Sequence, residues 1–314
     1  MSRLGKIRKL LDSEIRRKNF RALYFAAREA WWPVFRPGGD KPIFVVGCSR
    51  SGTTVTYETL AIASELRSFG YELPQFWNGL SGPCTNDWAS EAAGADEAKS
   101  EFRSAALKYF YARLGSGRTL DKTCINVMRV PFLNTLFPDA QFVYIHRDGR
   151  DNVSSMMDGW RDGRFALSQF LGPFPEEVRI NDGEFTEWHF FLPPGWRDHN
   201  RASLEEVCAY QWVMANNLAL DAGEAIPPQR WIRVRYEDIF DRPVELFRGV
   251  YERLGLPFTD DIASHCASMG SRPTSIVSGM PARSKWRQRN PEAVERILPM
   301  LEPVMKRLGY SMAE

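Results

Sequence analysis

The stretch "KPIFVVGCSRSGTTVTYETL", Lys41 to Leu60, decides the fold. Its apolar run "IFVVGC" (43–48) reads as a short buried strand. "TTVTYETLAIASEL" (53–66) reads as a helix starting at Gly52–Thr53, where the first turn leaves backbone N–H groups without intrahelical acceptors. Strand, tight turn and helix start in this order make an anion site, because the helix dipole and the unpaired donors point the same way.

The side chains narrow down the anion. A turn built for a magnesium nucleotide carries G-K-[ST] and relies on a strand-end aspartate for the metal. Here Thr53 follows Gly52, and Asp148 alone is a candidate for the aspartate. Arg50 instead places a permanent cation inside the turn, and Ser51, Thr53 and Thr54 add hydroxyl donors. Such a turn suits a group carrying less charge than a triphosphate, handled without metal.

Strand and helix patterns alternate along the chain. Helices are expected over 95–115, 127–137, 150–160, 203–223, 243–255 and 291–310, and strands over 119–123, 140–147 and 230–239. Strands joined by helices imply parallel pairing with helices on both faces. Residues 165–200, rich in Phe, Trp, Pro and Gly, break the rhythm and read as an inserted lid or binding loop. The expectation is an α/β, P-loop-type three-layer fold: one domain over 41–314, a parallel central sheet flanked by helices, and the inserted lid.

With 314 residues and 44% hydrophobic content a sizeable core is possible, and 41 Lys+Arg against 39 Asp+Glu give no global charge that calls for nucleic acid. The five cysteines, Cys48, Cys84, Cys124, Cys208 and Cys266, lie far apart and read as reduced thiols rather than zinc ligands. No apolar run spans a bilayer and no signal-peptide apolar region is visible, so a cytoplasmic enzyme is expected. Residues 1–40 stand apart as a basic segment. Nine Lys/Arg face two acids in the first 28 residues, Leu4, Ile7, Leu11 and Ile15 recur at helical spacing, and Trp31 and Trp32 follow. Such a helix either packs its stripe on the domain or lies peripherally on an anionic membrane.

Two motifs together carry a family resemblance. "GCSRSGTT" (47–54) resembles the 5′-phosphosulfate loop of sulfotransferases that use 3′-phosphoadenosine 5′-phosphosulfate (PAPS), in the branch with arginine in the loop, which includes protein-tyrosine sulfotransferases and bacterial relatives. "FVYIHRDGRDNVSSMM" (142–157) is similar to the family's 3′-phosphate motif, with Arg147 at a strand end and Ser155 eight residues on. Arginine there can grip a phosphate through two N–H groups. The competing reading of this stretch is a surface cluster of Arg147, Asp148, Arg150 and Asp151. Three further stretches resemble the family in the right order. They are "DKT" (121–123) followed by Asn126, "VRYEDI" (234–239) with Tyr236 beside the nucleotide, and "SKWRQRNPEAVERI" (284–297), whose Lys285 and Trp286 close over it. The resemblance covers roughly 42–160 and 230–310.

The resemblance implies sulfonyl transfer to an acceptor hydroxyl, with PAPS as co-substrate and no metal. Arg50 is assigned to the leaving side and Lys122 is the second cation. Glu72, 22 residues beyond Arg50, is the expected base. Many cytosolic members carry a histidine after "KT"; this chain has Cys124, whose ordinary thiol is a poor base. Glu58 and Glu65 compete with Glu72 but read as solvated helix residues. His189 and His199 read as exposed loop residues within reach of an acceptor, and His146 as buried and hydrogen-bonded. Ser275 and Ser278 are weaker candidates for the 3′-phosphate. The insertion is expected to shape the acceptor pocket. Two rival readings are a nucleotide kinase or NTPase and a non-catalytic, membrane-associated nucleotide-binding protein. The expected partner is a hydroxylated acceptor (glycan, lipid-like or small molecule), not nucleic acid. Membrane contact and a homodimer stay open.

Overall fold

The computed structural model describes residues 20–34, 41–269 and 283–312. The helical stripe of Leu4, Ile7, Leu11 and Ile15 and the pair Ser275 and Ser278 lie outside these residues. Five strands form one all-parallel sheet: β1 (Ile43–Gly47), β2 (Leu66–Ser68), β3 (Arg118–Lys122), β4 (Gln141–His146) and β5 (Trp231–Arg235), in the order β2-β3-β1-β4-β5. The central strand β1 pairs Val45 with Lys122 on one side and with Val143 on the other.

The central strands β1 and β4 are apolar on both faces because helices cover both. Phe44, Val46, Phe142 and Tyr144 point into one core, while Ile43, Val45, Val143 and Ile145 point into the other. Residues 20–34 form α1. The helices that follow are α2 (Thr53–Leu60), α3 (Pro74–Leu80), α4 (Ser100–Leu114), α5 (Val130–Leu136), α6 (Gly149–Arg161), α7 (Ser168–Leu171) and α8 (Leu204–Glu224). After β5 come α9 (Asp238–Asp241), α10 (Pro243–Leu254), α11 (Asp260–Ala267), α12 (Trp286–Arg289) and α13 (Pro291–Leu308). Trp77 of α3, Phe110 of α4, Trp212 of α8 and Leu301 of α13 fill the first core; Leu60 of α2, Phe247 and Tyr251 of α10 and Ile262 of α11 fill the second.

The expected helix over 53–66 is two elements. It stops at Leu60, where the Tyr251 hydroxyl donates to the Thr59 carbonyl at 2.7 Å, and Leu66 then opens β2 against β3. The expected helix over 95–115 is likewise a short 3₁₀ turn, Ala95–Glu97, followed by α4.

The insertion is packed into the protein. Trp188, Phe191, Leu192 and Trp196 are fully buried in the first core. Its Leu192 exchanges two hydrogen bonds with Glu91, the backbone N–H of Glu91 donating to Leu192 O at 2.8 Å and Leu192 N–H to the Glu91 carboxylate at 2.8 Å. Arg129 Nε ties the Glu91 carbonyl to α5 at 2.6 Å.

Candidate active site

The C-terminal ends of all five strands meet at one edge, and each delivers one residue there. In spatial order these are Glu72 after β2, Lys122 at the end of β3, Arg50 after β1, Arg147 after β4 and Tyr236 after β5. The edge is also where the strand order reverses beside β1, the place where open α/β sheets bind ligands.

At the β1–β4 side the turn is tight and cationic. Gly52 has φ 101°, and a Cβ there would overlap the Tyr236 ring. Arg50 takes φ 70°, and its carbonyl accepts from Arg147 Nη1 at 3.0 Å, while its own Nε donates to Ser155 Oγ at 3.3 Å. The Arg147 guanidinium lies 4.4 Å from the Tyr236 ring centroid, a cation–π arrangement. Two guanidinium groups thus converge on the turn, and neither forms an ion pair among the described residues. Burial, then the neighbouring Arg147, pulls Arg50 below the usual arginine range. Arg147 Nε and Ser51 Oγ are buried without a hydrogen-bond partner among the described residues. Buried charge without a counterion is costly, so these groups fit an anion that supplies one.

The competing cluster reading of this stretch is met in part, by a largely buried pair of Asp148 with Arg150. The Asp148 carboxylate accepts from Arg150 Nη2 at 2.6 Å. Asp151 accepts the backbone N–H groups of Ser284 at 2.8 Å and Trp286 at 3.0 Å. Neither carboxylate pairs with Arg147, which faces the turn. Asp151 also fastens the stretch carrying Lys285 and Trp286 onto the start of α6, a function that sequence reasoning missed. Trp286 is buried. Burial, then Arg289 and Arg147, pulls Lys285 down.

At the β2–β3 side, Lys122 Nζ donates to Glu72 Oε1 at 2.6 Å and to Thr54 Oγ1 at 3.1 Å. The other carboxylate oxygen of Glu72 accepts from the backbone N–H of Cys124 at 2.8 Å. Burial pulls Lys122 down, but Glu72, Cys124 and Tyr57 together outweigh it and the net shift is upward. The rest of "DKT" holds this pair in place. Asp121 accepts from Trp77 Nε1 at 2.8 Å, Thr123 Oγ1 at 2.9 Å and Asn126 Nδ2 at 3.0 Å, and Thr123 Oγ1 accepts from Leu73 N–H at 3.0 Å, next to Glu72. Burial pushes the Asp121 carboxyl up to about 6. The Cys124 thiol is pushed up to about 12 by burial and then by Glu72, which keeps it protonated.

Other titratable candidates lie elsewhere. Glu58 and Glu65 are exposed. His189 is buried and stacks on Trp160 at 4.5 Å, and His199 stacks on Tyr210 at 3.8 Å, so the expected exposed loop histidines are side-packed rings. His146 is buried beside the Tyr310 hydroxyl at 3.2 Å, and burial, reinforced by Arg233 and Arg235, pushes it down to about 3.

Between the two sides opens a cavity of about 420 Å³, within the range of ligand pockets. Arg50, Thr53, Thr54, Arg147, Ser155 and Tyr236 line one side of it, and Glu72 and Cys124 the other. Phe165, Leu167, Phe170 and Phe190 of the insertion close it, individually unmarked in the sequence because the insertion has no period. Among the described residues no group of three or more His, Cys, Asp or Glu is placed to hold a metal ion.

The fold is an α/β parallel sheet with a tight cationic turn at its switch point. The profile of the Sulfotransferase family matches residues 42–191 and 183–260, so the chain belongs to the sulfotransferase family and depends on PAPS as sulfonyl donor. It is 23% identical over 291 residues to protein-tyrosine sulfotransferase A of Caenorhabditis elegans, covering 85% of this chain and 67% of that one. It is 24% identical over 296 residues to protein-tyrosine sulfotransferase 1 of Danio rerio, covering 86% and 73%. The fold is shared with sulfotransferase STF9 of Mycobacterium avium, at a TM-score of 0.59 and 15% identity over 92% of this chain and 82% of that one. The kinase and non-catalytic readings are set aside by the family match.

Proposed function

We propose that this site moves the sulfonyl group of PAPS onto an acceptor hydroxyl by in-line, metal-independent transfer. Arg147 and Ser155 hold the 3′-phosphate, and Tyr236 lies beside the nucleotide. The turn Arg50–Thr54 holds the phosphosulfate, and Lys285 and Trp286 close the C-terminal side. In the step, the acceptor oxygen forms a bond to sulfur and the bond from sulfur to the bridging phosphate oxygen breaks. Its electron pair leaves with the 5′-phosphate, and the acceptor proton passes to the Glu72 carboxylate. Arg50 faces the charge growing on the leaving oxygen and Lys122 that on the sulfonate oxygens.

The observation that carries this reading is the order along the sheet edge, in which a carboxylate–ammonium pair and a pair of guanidiniums without counterions flank one cavity. Turnover measured as release of 3′-phosphoadenosine 5′-phosphate tests it. The expected rate is unchanged by a strong chelator; inhibition by the chelator contradicts metal-free transfer.

We also infer peripheral contact with an anionic membrane through α1. That helix docks on α4 by Trp32 against Tyr111 and by Glu29 with Arg113. Its other stripe exposes Phe20, Leu23, Trp31 and Val34, each more than half accessible, and the preceding residues are strongly basic. No helix among the described residues is long and apolar enough to cross a membrane. Co-sedimentation with phosphatidylserine vesicles is expected for the full chain and lost with Phe20→Glu plus Leu23→Glu. Equal recovery of both proteins contradicts it, and a shift from dimer to monomer in the variant assigns the stripe to a second copy of the chain. The cytoplasmic location expected from the sequence accords with this reading.

A further inference from the structure

We propose that the acceptor is a compact, uncharged aryl hydroxyl, a phenol or aromatic alcohol held against the stacked pair Phe165 and Phe190, and not a peptide or polysaccharide. This rests on the sulfotransferase reading of the site.

The two rings stack at 4.9 Å with 24° between their planes on the cavity wall facing Arg50, Thr54 and Glu72. They are placed by a short antiparallel pairing of the insertion's two ends, Leu167 N–H to Trp188 O at 2.8 Å and Phe190 N–H to Phe165 O at 2.9 Å. Phe190 adopts φ 69°, a left-handed backbone that a bulky residue rarely takes. Such a conformation persists only where the surroundings impose it, and it gathers at ligand sites. The surroundings here are Gly159 of α6, where an added Cβ would come within 2.6 Å of Phe190 Cζ, and the stacked Phe165 ring. The wall is therefore preorganised, with its rings turned toward the cavity at a cost in backbone strain.

The rest of the acceptor side is mostly apolar, with Val55, Pro74, Ile125, Leu167 and Phe170, and carries one neutral polar side chain, Gln75. Apart from Glu72, which pairs with Lys122, its charged groups have partners among the described residues. Arg164 is paired with Asp162, and the Glu91 carboxylate accepts from Asn78 Nδ2 at 2.7 Å and Leu192 N–H at 2.8 Å. A charged acceptor would lose hydration here without gaining a partner. A flat ring gains stacking on Phe190 and presents its hydroxyl toward Glu72.

The test measures transfer from PAPS to uncharged phenols, aliphatic alcohols, acidic tyrosine peptides and oligosaccharides, alongside calorimetry with 3′-phosphoadenosine 5′-phosphate. Phenols are expected to give the highest kcat/KM. Phe190→Ala is expected to raise their KM by about 10–200-fold, as for loss of an apolar pocket contact, with nucleotide Kd unchanged. Phe190→Leu is expected to fall between the two, and in the unaltered protein aryl methyl ethers compete with the acceptor and not with the nucleotide. Preference for peptide or oligosaccharide, or a KM insensitive to both variants, overturns the acceptor assignment alone. Failure of the unaltered protein to bind the nucleotide overturns the donor site, and this inference with it.

Discussion

Glu72 and Lys122 form an ion pair of 2.6 Å at the sheet edge, although one follows β2 and the other ends β3, fifty residues apart in sequence. The carboxylate is held at both oxygens, by the Lys122 ammonium and by the Cys124 N–H, and faces the cavity. A base fixed in this way needs little reorganisation when an acceptor hydroxyl arrives.

Replacing Glu72 by Gln keeps the shape and removes the proton acceptor. The expected loss in kcat is about 10²–10⁴-fold. Affinity for 3′-phosphoadenosine 5′-phosphate, measured by calorimetry, should stay within about a factor of two, the scale of a substitution that touches none of the nucleotide's contacts. A variant with normal turnover removes Glu72 from the proton transfer.

Gly52 meets two constraints at once, a φ of 101° and the Tyr236 ring lying where a side chain would go. Gly52→Ala is expected to cost about 1–3 kcal/mol of stability, read from denaturant unfolding, and to weaken nucleotide binding as the turn and Tyr236 move apart. Unchanged stability and binding would show that the turn relaxes freely.

His146 gives a pH signature. Its folded value, about 3, lies below the ordinary 6.5, so between these limits the unfolded chain binds a proton that the folded chain does not. Stability is therefore fully present above 6.5 and falls as pH drops toward 3. The contribution at stake is on the order of 5 kcal/mol at most. Unfolding of the wild type and of His146→Gln between pH 7 and pH 4 checks this: the stability difference should shrink on acidification. A difference independent of pH rules out His146 as the source.

Much of the fold could be read from the chain, and the reason is physical. "IFVVGC" and "AQFVYIHR" are apolar on both faces, as buried parallel strands must be, so periodicity and the turn at Gly52 located them. The edge strand β2 was not legible. Leu66–Ser68 is too short to show a period, and the Tyr251 hydroxyl that ends α2 at Thr59 comes from 192 residues away. The site shows the same division. Arg50, Arg147 and Ser155 sit in turns whose spacing is local and visible. Asp151 fastening residues 284–286, Glu91 fastening the insertion, and Phe190 turned inward all depend on contacts between distant segments.

If one adenylyl nucleotide spans the anion grips at Arg50 and Arg147, the 3′-phosphate alone should report on Arg147. Metal-free calorimetry of 3′-phosphoadenosine 5′-phosphate and adenosine 5′-phosphate on the wild type and on Arg147→Ala measures this. The wild type is expected to bind the 3′-phosphorylated nucleotide more tightly, and the variant to lose that preference, with little change for the 3′-hydroxyl nucleotide. Equal losses for both nucleotides, or tighter binding of ATP than of the 3′-phosphorylated nucleotide by the wild type, would refute the shared-ligand geometry.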